Sequence, residues 1–225
     1  MRSSRTLVLL GIVAATLVGC SASVDAAPTL SASAPAASPA PTGTVAAPSP
    51  SASAQEATLT LSLDRLTAVV DGASEEVAIA DGEAIVALMT RLSGVEPQTS
   101  DIEDPWGNGD FWGTRYEWPG AIVALIEGRA SLTVRAARIG DVPVSTAAGI
   151  AVGSTRAAAL AAQAFDEWDE DDDGIADHLG IEGRDVAGTT SLVRPGEVGI
   201  EFIGLDLDGD LVTAIYLPAN DYSDI

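Results

Sequence analysis

The 225-residue chain holds eleven arginines, no lysine, thirty-three carboxylates, one histidine and one cysteine, for a formal net charge of −22. One cysteine excludes an internal disulfide and, with one histidine, a His/Cys zinc cage; the lack of lysine excludes a P-loop, a Schiff-base lysine and a Ser-x-x-Lys acyltransferase. So negative a charge also repels a phosphate backbone, which argues against nucleic acid as a partner.

In chain order, residues 1–19 carry the three parts of a secretory signal: Arg2 and Arg5, an apolar run from Leu7 to Val18, and a small residue at Gly19. That run is shorter than the about 20 apolar residues needed to cross a bilayer core of roughly 30 Å, so it reads as a signal and not an anchor. Leu17-Val18-Gly19-Cys20 resembles the bacterial lipobox, whose cysteine receives a diacylglyceryl thioether before the signal is cut. The resemblance implies lipidation of Cys20 and a protein held on the outer face of the cytoplasmic membrane. Two acyl chains anchor stably where one does so only marginally.

Residues 20–55 form a tether. From Ser21 to Ala54, thirty of thirty-four residues are Ala, Ser, Pro, Thr or Gly, and six are proline, a composition that buries too little apolar surface to offset chain entropy. A coil of this kind spans roughly 30 Å, and extended polyproline II up to roughly 100 Å. Residues 56–225 are the expected folded domain, with thirty-two acids against nine arginines and so a charge of −23. Such a domain repels anionic headgroups and stands in solvent.

Within it, Thr58 to Leu63 alternates with period two, Leu66 to Val70 ends β-branched, Asp71-Gly72 signals a hairpin turn, and Glu76 to Ala80 resumes the pattern. Asp81 is placed to cap a helix from Gly82 to Leu92, with Ile85, Leu88, Met89 and Leu92 on one face and Gly94 just past its end. A loop to about Gly113 follows. Thr114 to Trp118, Ala121 to Ile126 and Ser131 to Ala137 read as three strands. A second helix is predicted from Arg156 to Trp168, capped by Ser154 or Thr155, with Leu160, Ala164, Phe165 and Trp168 inward. A strand near Thr190 to Val193 and a hairpin of Val198 to Leu205 with Leu211 to Leu217 around Asp208-Gly209 complete the reading. The expected class is α+β, antiparallel sheet with two main helices.

The Gly149 to Thr155 stretch with its helix, and the terminal Leu207 to Ile215 hairpin, resemble a pattern in secreted lipoproteins of GC-rich Gram-positive bacteria, mostly of unassigned function. A more distant likeness of residues 149–217 is to the small outer-membrane-assembly lipoproteins and the β-lactamase-inhibitor-like fold, which implies inhibition or complex assembly. The chain departs from it in having one helix, not two, before the terminal strands, and in lacking the usual acid at Ala158 to Ala159.

Three places can carry chemistry. Asp169 to Asp177 presents D-x-D-x-D-G-x-x-D, in which Asp169, Asp171 and Asp173 offer carboxylates, Ile175 its carbonyl and Asp177 a further oxygen to a calcium ion. The pattern resembles EF-hand loops and the aspartate loops of thrombospondin type 3 repeats, but position twelve is Gly180 where an EF-hand has Glu. The competing reading is a solvated acidic face, with eight acids between Asp166 and Asp177. Second, Trp106 to Trp118 holds five of the ten aromatics. There Trp112, Tyr116 and Trp118 read as core on one strand face, and Trp106 and Phe111 as exposed candidates for ligand binding. Third, Gly153-Ser154-Thr155-Arg156 is a helix start able to bind an anion, though such sequences are mostly caps.

His178, directly after the acidic loop, suits a surface residue better than a general base. The reading is therefore a membrane-anchored extracytoplasmic lipoprotein, non-catalytic, binding an unidentified protein or envelope component, with calcium as the one cofactor considered. The alternative is a cell-envelope glycan hydrolase using paired carboxylates.

Overall fold

The computed structural model describes residues 57–104, 107 and 109–223; the signal segment, Cys20, the tether and Trp106 lie outside the described residues. The chain opens with a meander, β1 (Thr58–Ser62), β2 (Arg65–Val70) and β3 (Ala73–Ala78). Leu59, Leu61 and Leu66 point inward, as the period-two pattern predicts, and Asp71 and Gly72 both take positive φ in the β2–β3 turn.

Helix α1 (Gly82–Ser93) is one residue longer than expected. The Asp81 carboxylate accepts from the Ala84 amide at 3.1 Å, and Gly94, at φ 71°, closes the last turn through its amide to the Thr90 carbonyl. Ile85, Leu88, Met89 and Leu92 are buried on one face. A Cβ on Gly82 would sit 2.3 Å from Leu125 Cδ2, so the missing side chain lets the helix lie flush on the sheet.

Next come β4 (Gln98–Glu103), β5 (Phe111–Trp118), β6 (Ala121–Ile126), β7 (Arg129–Val134), β8 (Arg138–Ile139) and β9 (Val142–Thr146). Short α2 (Arg156–Ala161) leads to β10 (Phe165–Trp168), β11 (His178–Asp185), β12 (Ile200–Asp208) and β13 (Leu211–Asn220). Two sheets result. One has five strands in the order β3-β2-β1-β9-β8; the other has eight, in the order β10-β11-β12-β13-β7-β6-β5-β4. The eight-stranded sheet is antiparallel throughout, while the smaller is mixed because β1 runs parallel to β9, Leu59 opposite Val144. One buried cluster draws on both sheets and on α1.

The fold is therefore sheet-rich, with two helices among the described residues, and it corrects several expectations. The second helix stops at Ala161. Gln163 turns left-handed at φ 68°, and Phe165 and Trp168 pair across to Gly180 and His178 as a strand. Of the four side chains expected inward, Ala164 and Phe165 pack against buried clusters, but Leu160 is 46% exposed and Trp168 54%, and Ala159 is buried in their place. The expected loop before Gly113 contains β4, whose polar sequence gives no alternation but whose backbone completes the edge beside β5. Thr190 to Val193 is not a strand; it belongs to a loop pinned to the end of β13.

Candidate functional site

The chemically densest region lies where β10, the acidic loop and β11 meet. The loop's amides turn inward on its carboxylates: Asp169 accepts from the Asp173 amide at 3.3 Å and the Gly174 amide at 2.8 Å, and Asp171 from Asp173 at 3.1 Å. Asp177 accepts from the Glu170 amide at 2.9 Å and Asp173 from the Ile175 amide at 2.8 Å. Asp172 at φ 59° and Gly174 at φ 90° supply the sharp turns this wrapping requires.

Oxygens of Asp169, Asp171 and Asp177 lie within 4.8 Å of one another. Acidic groups gathered at this distance on a surface are common without an ion. The structure brings together three of the five predicted ligands. Asp173 falls outside that group of carboxylates. Gly180, at the twelfth position, is buried within β11 beneath the Phe165 ring.

At the base of the loop the outward face of the eight-stranded sheet carries two rows of side chains. Register places Trp168, His178, Asp206 and Ala214 in one row, and Phe165, Gly180, Gly204 and Tyr216 in the next. The glycines are the floor on which two rings lie. A Cβ on Gly180 would stand 2.2 Å from Phe165 Cζ, and one on Gly204 2.1 Å from Tyr216 Cζ. Phe165 also meets Phe202 edge-on, centroids 5.6 Å apart.

An open recess of about 470 Å³ is bordered by Glu167, Trp168, His178, Tyr216, Pro218 and Asn220, among others. His178 spans two carboxylates, with Nδ1 2.9 Å from Asp206 and Nε2 3.8 Å from Glu170. Burial pushes the Glu167 carboxyl upward and the Asp221 charge adds to this, against the opposing pull of Arg194 and His178. The Tyr216 hydroxyl is raised too, by burial first and then by the negative charges of Asp206 and Glu167. No short motif announces this grouping. The signal that could have found it is the pairing of strand glycines with aromatics across the sheet, which depends on register.

The other candidates are placed differently. Phe111 is 67% exposed, Trp112 half-buried, and Trp118 buried with Tyr116 stacked 6.4 Å away, so the aromatic strand does contribute to the core. The Gly153 to Arg156 segment is a cap with its groups already used. The Thr155 hydroxyl accepts from the Ala158 amide at 3.1 Å, and the Gly153 and Arg156 amides donate to the carbonyls of Val212 and Asp210. The Arg156 guanidinium donates to the carbonyls of Ala176 at 2.5 Å and Gly209 at 3.2 Å, which ties α2 to the end of the acidic loop and the β12–β13 turn.

No protein-family model, curated protein or solved structure matches the chain significantly.

Proposed function

We propose that the chain is a membrane-anchored extracytoplasmic lipoprotein of the type found in GC-rich Gram-positive bacteria: a signal peptide, a diacylglyceryl-bearing Cys20, a disordered tether and an α+β domain that binds an envelope component without catalysis. The observation that carries the reading is Leu17-Val18-Gly19-Cys20 at the end of an apolar run, followed at once by the Ala/Ser/Pro-rich tether. The full chain expressed in a Gram-positive host is expected to partition with membranes and into the detergent phase. Its amino-terminal peptide should carry the mass of a diacylglyceryl cysteine, and Cys20→Ala should release the protein to the aqueous phase. A wild-type chain found in the aqueous phase with an unmodified Cys20 would sink the proposal.

The acidic loop is read as a calcium loop within this domain, supported by the D-x-D-x-D-G spacing and by the approach of Asp169, Asp171 and Asp177. Calcium at about 100 times its Kd then adds about 2.7 kcal/mol of stability, a rise of roughly 5 to 10 °C in Tm for a domain of this size. Thermal unfolding of the full chain in EDTA, calcium and magnesium checks this. Calcium is expected to act where magnesium does not, and Asp171→Ala to abolish the rise. An unchanged midpoint in calcium identifies the loop as a solvated face.

A further inference from the structure

We infer that the recess bordered by Glu167, Trp168 and Tyr216 binds an organic cation, an ammonium group carried by a small molecule or a flexible chain. The inference rests on the binding role proposed above and gives that role a site and a ligand class.

The shape comes first. Glycine at position 204 lets the Tyr216 ring lie down on the sheet, and Tyr216 with Phe202 and Trp168 borders an open recess of about 470 Å³. That volume falls in the range of roughly 300 to 1,000 Å³ typical of small-molecule sites. The walls are aromatic, and Trp168 is 54% exposed, its ring accessible from solvent. The faces of Trp and Tyr rings are electrostatically negative and attract ammonium groups more strongly than neutral ones.

Charge then selects among ligands. Glu167 lines the recess, Asp206 sits one strand from His178 in the same row, and Glu170 approaches the far side of that imidazole. Against these, no arginine lines the recess, and the chain has no lysine. Among the lining residues Glu167 is the one carboxylate, and an anion placed beside it is repelled. A neutral sugar can stack on Trp168 but gains nothing from the Glu167 charge, whereas an ammonium group gains from both the rings and that carboxylate.

The test uses the full chain in a non-ionic detergent with EDTA present, titrated calorimetrically with choline, spermidine and lysine methyl ester. The neutral carbon analogue of choline, 3,3-dimethylbutan-1-ol, and a neutral N-acetylglucosamine trimer serve as comparisons. At least one cation is expected to bind, with choline about tenfold tighter than its neutral analogue. Glu167→Gln and Trp168→Ala should each weaken binding about tenfold, while Val95→Ala, an exposed side chain just past α1, leaves it unchanged. Three results overturn the inference: none of the cations binds, the neutral analogue binds as well as choline, or the sugar trimer binds with the same dependence on Trp168. None of them touches the anchoring proposal, which stands or falls on the chemistry of Cys20.

Discussion

Asp221→Ala is expected to cost about 3 kcal/mol of folding stability, since each buried hydrogen-bonding group left without its partner costs about 1 to 3 kcal/mol. The Asp221 side chain is fully buried and acts as an acceptor hub. It takes hydrogen bonds from the Ser191 hydroxyl at 2.6 Å, the Arg194 guanidinium at 2.6 Å and the Ile200 amide at 2.5 Å. Its own backbone closes the same loop, accepting from the Leu192 amide at 2.7 Å and donating to the Ile200 carbonyl at 3.1 Å. Truncation leaves the buried Ser191 hydroxyl and the Ile200 amide without an acceptor, and each such loss carries the desolvation cost of the group. Urea titration of the full chain at neutral pH measures the effect. A cost under 1 kcal/mol would show that the loop from Val186 to Gly199 is not held by this carboxylate.

The same residue sets a pH dependence. Burial alone pushes its carboxyl up, but the bonds from Arg194, Ser191 and the Ile200 amide outweigh that and hold it below the usual carboxylate range. A depressed value in the folded chain means the stabilisation is fully present above the unfolded value, near 3.9, and is lost as pH falls through the folded value. Asp221→Asn therefore flattens the acid side of the stability profile while lowering its plateau.

Gly113→Ala is the second large effect, expected at about 3 kcal/mol, the upper end of overpacking costs. Gly113 is buried in β5 between Ile102 of β4 and Ile126 of β6. A Cβ there would lie 2.2 Å from the Leu125 carbonyl oxygen and 3.0 Å from Leu125 C, so backbone rather than a yielding side chain blocks it. The β5 and β6 strands must part to admit the methyl. Thermal unfolding reads the loss, and amide exchange should show faster opening at Leu125 and Ile126 than in a Thr114→Ala control. Equal exchange in the two variants would mean the sheet absorbs the methyl elsewhere.

The sequence revealed local features well. Helix α1 was readable because Asp81, Gly94 and the Ile85/Leu88/Met89/Leu92 stripe all agree within one segment, and the β2–β3 turn because Asp71-Gly72 suits positive φ. What stayed hidden depends on partners far along the chain. Phe165 and Trp168 fit a helical stripe as well as a strand, and only Gly180 and Gly183 of β11, over which the Phe165 ring lies, decide for the strand. β4 has no apolar alternation, since Gln98 to Asp101 are all exposed, and β1 shows nothing of its parallel neighbour β9. For the site, the acidic loop was conspicuous in the sequence, but the recess beside it was not. Glu167, His178, Asp206 and Tyr216 come from four strands and converge only once register is set.

If the chain is held by its amino-terminal end, as proposed above, the position of β1 has a mechanical consequence. The tether enters at the start of β1, which is not an edge but lies between β2 and β9, bonded on one side in antiparallel and on the other in parallel register. A pull along the tether therefore loads two ladders in shear, many bonds at once, instead of unzipping an edge strand one pair at a time. Resistance to such force is governed by the unfolding barrier more than by equilibrium stability. Under the anchoring proposed above, load on the amino-terminal end would pass into the small sheet through an interior strand bonded on both sides.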